Sequence, residues 1–462
     1  MTHDKSLPAQ WFKFSIFSRL GKEFSWILVG QAATVIGGLI GLRLLTNYLS
    51  PTTFGEIALI MTIASLVNQT ILGPLAGAAL RFLSPAEEEK TTRAYLRALW
   101  WLIRRVSVWT LLATGALSLG LAVYGRLDWA FFLVSAIIYA LLTGYNQILN
   151  GMQNALRQRK IVAWHAALGQ WLQVVLVLTA VILMGPTSGN AMVGYVAAAF
   201  LVLPSQTFFF RRQVLTLPSM QQEPTNAAIS PDQWQRKLRQ YALPISGWGV
   251  FTWVQMSSDR WALQVSSTTS SVGYFAVLYR LGYYPITLVT GLVTQLITPI
   301  LFQKAGDATD SSRMKATIRV NQWLTLASLA VTVLATGLAY FLHELIFSVL
   351  VAPEYRAISW LLPWMILAGG LFATGQVASI SLLSEANTRR LVVPKIGTAV
   401  LATALNFAAA FRYGLAGVVF AGAVSSGVYV VWILALIRQG GWREQQLEEQ
   451  PAGMILPPHE DR

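Results

Sequence analysis

Apolar runs of about twenty residues recur from one end of the chain to the other, separated by short polar stretches. A run of that length, once helical, crosses the ~30 Å hydrocarbon core of a bilayer. Helix is the only choice there, because an open strand would leave backbone N–H and C=O groups unpaired in lipid. The pattern predicts membrane helices at 24–45, 54–80, 100–124, 129–152, 161–184 and 190–210. After a polar stretch it predicts six more, at 242–264, 272–302, 319–343, 357–383, 391–411 and 414–437. The expected fold class is an all-α polytopic membrane protein of about twelve transmembrane helices. Its parts are a leader at 1–23, a six-helix bundle at 24–210, a linker at 211–241, a second bundle at 242–437 and a tail at 438–462. The leader lacks the short apolar core and small-residue cleavage site of a signal peptide. Trp11, Phe12, Phe14, Ile16 and Phe17 among Lys13, Arg19 and Lys22 read either as an interfacial helix or as a disordered basic leader.

Composition narrows the chemistry. Hydrophobic residues make up 55% and charged residues 12%, far from a soluble domain. The chain has no cysteine, which removes disulfides, thiolate catalysis and cysteine metal sites together. Its four histidines, His3, His165, His343 and His459, are scattered, and no pair has metal-ligand spacing. No GxxxxGK[ST] loop is present, so ATP is not bound in that way. No cofactor or metal is expected, and transport would draw on a gradient, a partner or the substrate's own downhill flow.

The net charge of +14 has a location. One set of alternating loops and termini holds 28 of the 34 Lys and Arg, while the opposite loops hold only Arg126, Arg356 and Arg412. By the positive-inside rule this puts both termini in the cytoplasm. The charge is then mostly topology, and a nucleic-acid partner is not implied. The outer loops are all short, unlike the large outer loop that membrane polymerases and ligases of surface sugars use for chemistry.

The two halves also share a local pattern. Arg43 leads through a Ser/Thr turn to Gly55-Glu-Ile-Ala58, and Arg260 leads through a similar turn to Gly273-Tyr-Phe-Ala276 with one extra residue. Six helices per half would make these parallel repeats, related by an axis along the membrane normal. The segments RLLTNYLSPTTFGEIALIMTI and DRWALQVSSTTSSVGYFAVLYRLGYYPITLVTGLVTQLITPILF resemble the Wzx-type polysaccharide flippases. Those belong to the multidrug/oligosaccharidyl-lipid/polysaccharide exporter superfamily. APEYRAISWLLPWMILAGGL is similar to the start of that family's tenth helix. The resemblance implies a V-shaped pair of six-helix bundles around a central cavity in a bacterial inner membrane. It implies undecaprenyl-pyrophosphate-linked oligosaccharide as cargo; parallel repeats are a layout that secondary transporters use for alternating access, and a coupling proton or Na⁺ and a polysaccharide polymerase partner stay open. Peptidoglycan-precursor flippases of the same superfamily are similar but typically have fourteen helices.

Within the spans, ionisable residues are candidates for function, since a charge in the bilayer usually faces water or a partner. Arg280, Arg260 and Arg43 are the candidates for pyrophosphate, because a guanidinium forms bidentate bonds to phosphate oxygens. For Arg43 and Arg260, snorkelling to the headgroups is the alternative. Asp259 shares a helix face with Thr252 and Gln255. It could pair with Arg43 or Arg280 across a lumen, or carry the coupling ion; its neighbour Arg260 points about 100° away along the helix.

Polar stripes add sugar-binding candidates. Tyr139, Thr143, Asn146, Asn150 and Asn154 follow one face, with Arg157 below; Arg280, Tyr284, Thr287, Thr294 and Thr298 follow another. Gln31 with Thr34, and Ser65 with Gln69, extend the set. Such stripes suit either a wet, sugar-binding lumen or interhelical hydrogen bonds. The reading from sequence is a flippase for a lipid-linked oligosaccharide. The alternative is an ion-coupled multidrug exporter of the same superfamily. An enzyme is disfavoured, with no carboxylate cluster or metal site in view.

Overall fold

The computed structural model describes residues 7–221, 230–305, 311–384 and 389–448. The first residues of the leader, part of the linker and the end of the tail lie outside them, as do the side chains of Trp11, Phe12, Phe14, Ile16 and Phe17. Every regular element among the described residues is helical. In order these are α1 (Leu7–Tyr48), α2 (Pro51–Val67), α3 (Gly73–Glu88), α4 (Thr92–Val123), α5 (Leu127–Ala155), α6 (Arg159–Met184) and α7 (Ser188–Val214). A single turn, α8 (Pro218–Gln221), precedes α9 (Pro231–Ser266), α10 (Thr269–Leu278), α11 (Tyr284–Ala305), α12 (Ser311–Leu350), α13 (Leu362–Ser384) and α14 (Arg389–Glu448).

Local chemistry sets the boundaries. Ser50 caps α2, its hydroxyl oxygen accepting from the Thr53 N–H at 3.3 Å, and Pro51 follows where a missing N–H costs nothing. Ser230 and Gln233 form a reciprocal capping box at the start of α9. α1 runs unbroken from Leu7 through the expected leader into the first expected span.

Two π turns interrupt the membrane runs, and each precedes a proline. Between α2 and α3 the turn Asn68–Leu72 widens the helix just before Pro74, whose ring would strike the carbonyl four residues back. The Gly73 N–H donates to the Asn68 carbonyl instead. Between α10 and α11 the turn Tyr279–Tyr283 precedes Pro285, and the Tyr284 N–H donates to the Tyr279 carbonyl. Pro74 and Pro285 thus each follow a wider turn through which the chain stays helical.

Among the described residues, ten segments are long and apolar enough to cross a membrane. The difference from twelve has two sources. The last segment, Leu391–Gln439, holds both expected spans 391–411 and 414–437, which meet at Gly414, where φ is +57° and ψ −137°. That backbone conformation is one glycine adopts without a Cβ penalty. The expected span 242–264 lies in α9, which at 36 residues is long enough but is not among the ten. Asp259, Arg260, Gln255 and Gln264 dilute its apolar surface.

Contacts group the chain into two compact units, residues 1–276 with 345–357, and residues 277–344 with 358–462. In the first, α5 packs on α2, α3, α4 and α7, and α6 packs on α1 and α7. Trp234 of α9 is fully buried there, packed edge-on to Tyr95 at 5.5 Å and Phe82 at 6.0 Å. Its indole N–H donates to the Thr91 hydroxyl at 3.2 Å, which ties the start of α9 to the α3–α4 turn. In the second unit α13 is mostly buried, whereas α12 is mostly not. Asn321 of α12 donates to the Val377 and Ala378 carbonyls at 3.1 and 3.2 Å and to the Ser381 hydroxyl at 2.7 Å. One buried amide thus holds two helices in register.

Candidate functional site

Asn146 and Asn150 come together in a cavity of about 180 Å³ inside the first unit, between α5, α6 and α7. The stripe on α5 lines it as the helical period predicts, with Tyr139 and Thr143 above the two asparagines. Asn154, further along the stripe, is exposed and does not line it. The opposing wall comes from His165, Gln170 and Gln173 on α6 and Gln206 on α7. Small residues, including Ala166, Gly169, Ala198 and Ala199, keep the floor open.

Hydrogen bonds fix most of this wall. Gln173 donates to the Tyr139 hydroxyl at 3.0 Å, and Gln206 donates to Asn150 Oδ1 and, at 3.1 Å, to Gln153 Oε1. The His165 ring lies 2.8 Å from the Ile161 carbonyl and 3.1 Å from the Ser205 hydroxyl. Asn146 Oδ1 is buried without a hydrogen-bond partner. Sequence reasoning missed His165, Gln170, Gln173 and Gln206. The signal present was the spacing of His165, Gly169 and Gln173 by fours along α6, but it needs a partner helix to become a wall.

The other amide candidates lie elsewhere. Gln69 sits in the π turn Asn68–Leu72, its Oε1 buried and without a hydrogen-bond partner. A Cβ on Gly249 of α9 would collide with the Gln69 backbone carbonyl, so α9 rests directly on that turn. Gln31 is half-buried on α1 and does not line the cavity.

Arg43, at the far end of α1, donates from Nη1 to the Val351 carbonyl. Two bonds accompany it: the Ala352 N–H donates to the Thr46 hydroxyl at 3.1 Å, and the Tyr355 hydroxyl donates to the Leu49 carbonyl at 2.8 Å. Together they fasten the end of α1 to the α12–α13 connection.

From the sequence, Asp259 and Arg260 need not pair. They do pair, Arg260 Nη1 donating to Asp259 Oδ1 at 3.1 Å, although neighbours on a helix diverge by about 100°. The reason is side-chain length. The arginine folds back towards the preceding turn, where the same Nη1 also reaches the Met256 carbonyl at 3.0 Å. Its guanidinium lies 5.4 Å from the Phe275 ring centroid.

Arg280 stands in the π turn Tyr279–Tyr283 of the second unit, half-buried, with no acceptor paired to it among the described residues. Tyr279 and Tyr283 stack beside it, ring centroids 5.0 Å apart and 15° from parallel. Gly282 lets the turn close onto α13, where an added Cβ would lie 3.0 Å from Met365. Tyr284, the next residue after the turn, is exposed. Among the described residues no group of three His, Cys, Asp or Glu could hold a metal ion.

A polytopic all-α membrane protein with buried polar groups inside its helices is the class these features define. The fold matches solved transporters. Over 89% of this chain and 87% of the other, it superposes on the lipid II flippase MurJ in an inward closed conformation, with a TM-score of 0.60 and 14% identity. An inward-facing multidrug resistance MATE family transporter of the MOP superfamily gives 0.58 and 15% identity, over 92% of this chain and all of the other. A point mutant of the Vibrio cholerae MATE transporter VcmN gives 0.54 and 14% identity, over 94% and 99%. At such identities the likeness establishes the fold. No curated protein matches by sequence. The polysaccharide biosynthesis protein family model matches residues 20–304, more than half of the chain, and the chain belongs to that family.

Proposed function

We propose that this protein flips an undecaprenyl-pyrophosphate-linked oligosaccharide from the cytoplasmic to the periplasmic leaflet of a bacterial inner membrane, for surface polysaccharide synthesis. Alternating access is the mechanism, with six membrane helices in 24–210 and six in 242–437. Both termini lie in the cytoplasm, as the distribution of Lys and Arg favours. The observation that carries the reading is Arg280. A guanidinium within a membrane helix costs at least ~2.5 kcal/mol on insertion scales, and none of the described residues neutralises it. An anionic cargo would do so, and a pyrophosphate suits the planar fork of donors. The lipid tail stays in the bilayer while the head crosses, so the protein need bind only the head.

Arg43 and Arg260 then serve mainly as structural anchors, each already bonded to a backbone carbonyl. Any polymerase partner would receive the flipped lipid on the outer face. The second reading is an ion-coupled multidrug exporter, which the fold shared with MATE transporters favours. It needs a membrane carboxylate for its cation, and Asp259 is here engaged by Arg260.

Mass spectrometry of polyprenyl lipids from cells depleted of the protein tests the reading. Build-up of polyprenyl-pyrophosphate oligosaccharide with loss of surface polymer is expected. An unchanged lipid pool, with lowered tolerance of cationic dyes, would favour the exporter.

A further inference from the structure

The cavity between α5, α6 and α7 has a chemistry unlike that of Arg280. Its polar wall is made of hydroxyls from Tyr139 and Thr143, amides from Asn146, Asn150, Gln170 and Gln206, and one imidazole. No carboxylate, lysine or arginine lines it. It would therefore hold neither a phosphate nor an organic cation well, since a desolvated charge needs a counter-charge. Its apolar lining is small, Ala166 and Gly169 from α6 with Ala198, Ala199 and Val202 from α7.

The cavity is also a built space. At about 180 Å³ it far exceeds the ~10–15 Å³ that one water needs, yet falls short of the ~300–1,000 Å³ of drug-sized pockets. Asn146 lines this wall, and its Oδ1, itself buried, makes no hydrogen bond among the described residues. Gly169 faces the same space: an added Cβ there would touch only Val202, at an ordinary 3.7 Å.

We propose that this cavity is a binding site for one neutral sugar ring of the cargo, separate from the arginine that takes its diphosphate. The proposal rests on the flippase reading and assigns the sugar class to a particular place. A pyranose has hydroxyls around its rim and C–H groups on its faces, matching an amide-and-hydroxyl wall over a floor of alanine and glycine. Asn146 donates to or accepts from a ring hydroxyl, and the stacked arrangement of α5, α6 and α7 sets the depth of insertion.

The test uses the purified full chain in lipid nanodiscs. Binding is compared for undecaprenyl diphosphate alone and for the same lipid bearing one glucose or one N-acetylglucosamine. The unmodified protein is expected to prefer a sugar-bearing lipid over the bare diphosphate. Asn146→Leu is expected to cut that preference about tenfold, the loss of one or two hydrogen bonds. Gly169→Leu, which fills the space without removing a polar group, is expected to do the same and decides the matter if Asn146→Leu fails to fold. An unaltered preference in these variants, or no preference in the unmodified protein, overturns the sugar site while leaving the diphosphate reading standing. Failure of the unmodified protein to bind any of the lipids overturns both.

Discussion

Thr52 and Ser270 share a hydrogen bond, hydroxyl to hydroxyl at 2.6 Å, between residues 218 positions apart. The same interval relates the glycines around it. A Cβ on Gly55 would collide with the Thr269 carbonyl, and one on Gly273 would collide with the Pro51 carbonyl. The contact is reciprocal: each glycine meets the residue that corresponds to its own partner's neighbour. This is the pattern of a two-fold axis, in which a patch meets a copy of itself. The aligned segments of the two halves therefore face one another, and α2 and α10 approach to backbone contact at their first turns.

That contact leads to the first prediction. Because the chain has no cysteine, the double variant Thr52→Cys/Ser270→Cys carries the only two thiols. Mild oxidation should join them, seen as a changed gel pattern after cleavage within the linker, and polymer export should stop until a reductant is added. Export that continues with the bond formed would mean these turns never separate in the transport cycle.

Gly55→Val should be poorly tolerated for the same geometric reason. Overpacking typically costs ~1–3 kcal/mol, and here the collision is with backbone that cannot rotate away. Gly77→Ala is the control, since its added Cβ meets only Tyr241 at 3.9 Å. Thermal unfolding in detergent should separate the two clearly.

Arg280 and Arg43 should behave differently although both were phosphate candidates. Arg280→Gln should lower polymer export by at least about tenfold at normal protein level, as expected for loss of charge-assisted bonds worth ~1.5–3 kcal/mol. Its thermal stability should hardly move, because it pairs with no acceptor among the described residues. Arg43→Ala should instead destabilise the protein by roughly 1–3 kcal/mol, leaving the Val351 carbonyl without its donor. Equal stability loss in both variants would contradict this division of roles.

The Asp259–Arg260 pair can be separated into structure and coupling by a double-mutant cycle. Asp259→Leu alone should destabilise the protein, since it removes the carboxylate 3.1 Å from a cation with only 13% of its side chain exposed. Asp259→Leu/Arg260→Met should recover most of that stability. Retained export in the stable double variant would show the pair to be structural; lost export at full stability would return Asp259 to the coupling role.

Much of the architecture was legible from the chain alone, and particular residues show why the rest was not. Apolar runs mark membrane helices because lipid leaves the backbone no other partner, so every expected span coincides with helix among the described residues. The span 242–264 blurs because Asp259 and Arg260 sit within it, and the spans on either side of Gly414 merge because one glycine turns the chain without ending the helical run.

Periodicity placed Tyr139, Thr143, Asn146 and Asn150 on one face, since spacing along a single helix fixes which side chains align. It could not supply His165, Gln170 or Gln206 opposite them, because which faces of separate helices meet is decided by packing. The repeat likewise aligned Gly55 with Gly273, but a repeat in sequence does not say that its copies touch. That they do, and that Arg260 bends back to Asp259, follows from close approach and side-chain reach. Both are properties of three-dimensional distance, which the order of residues along the chain does not contain.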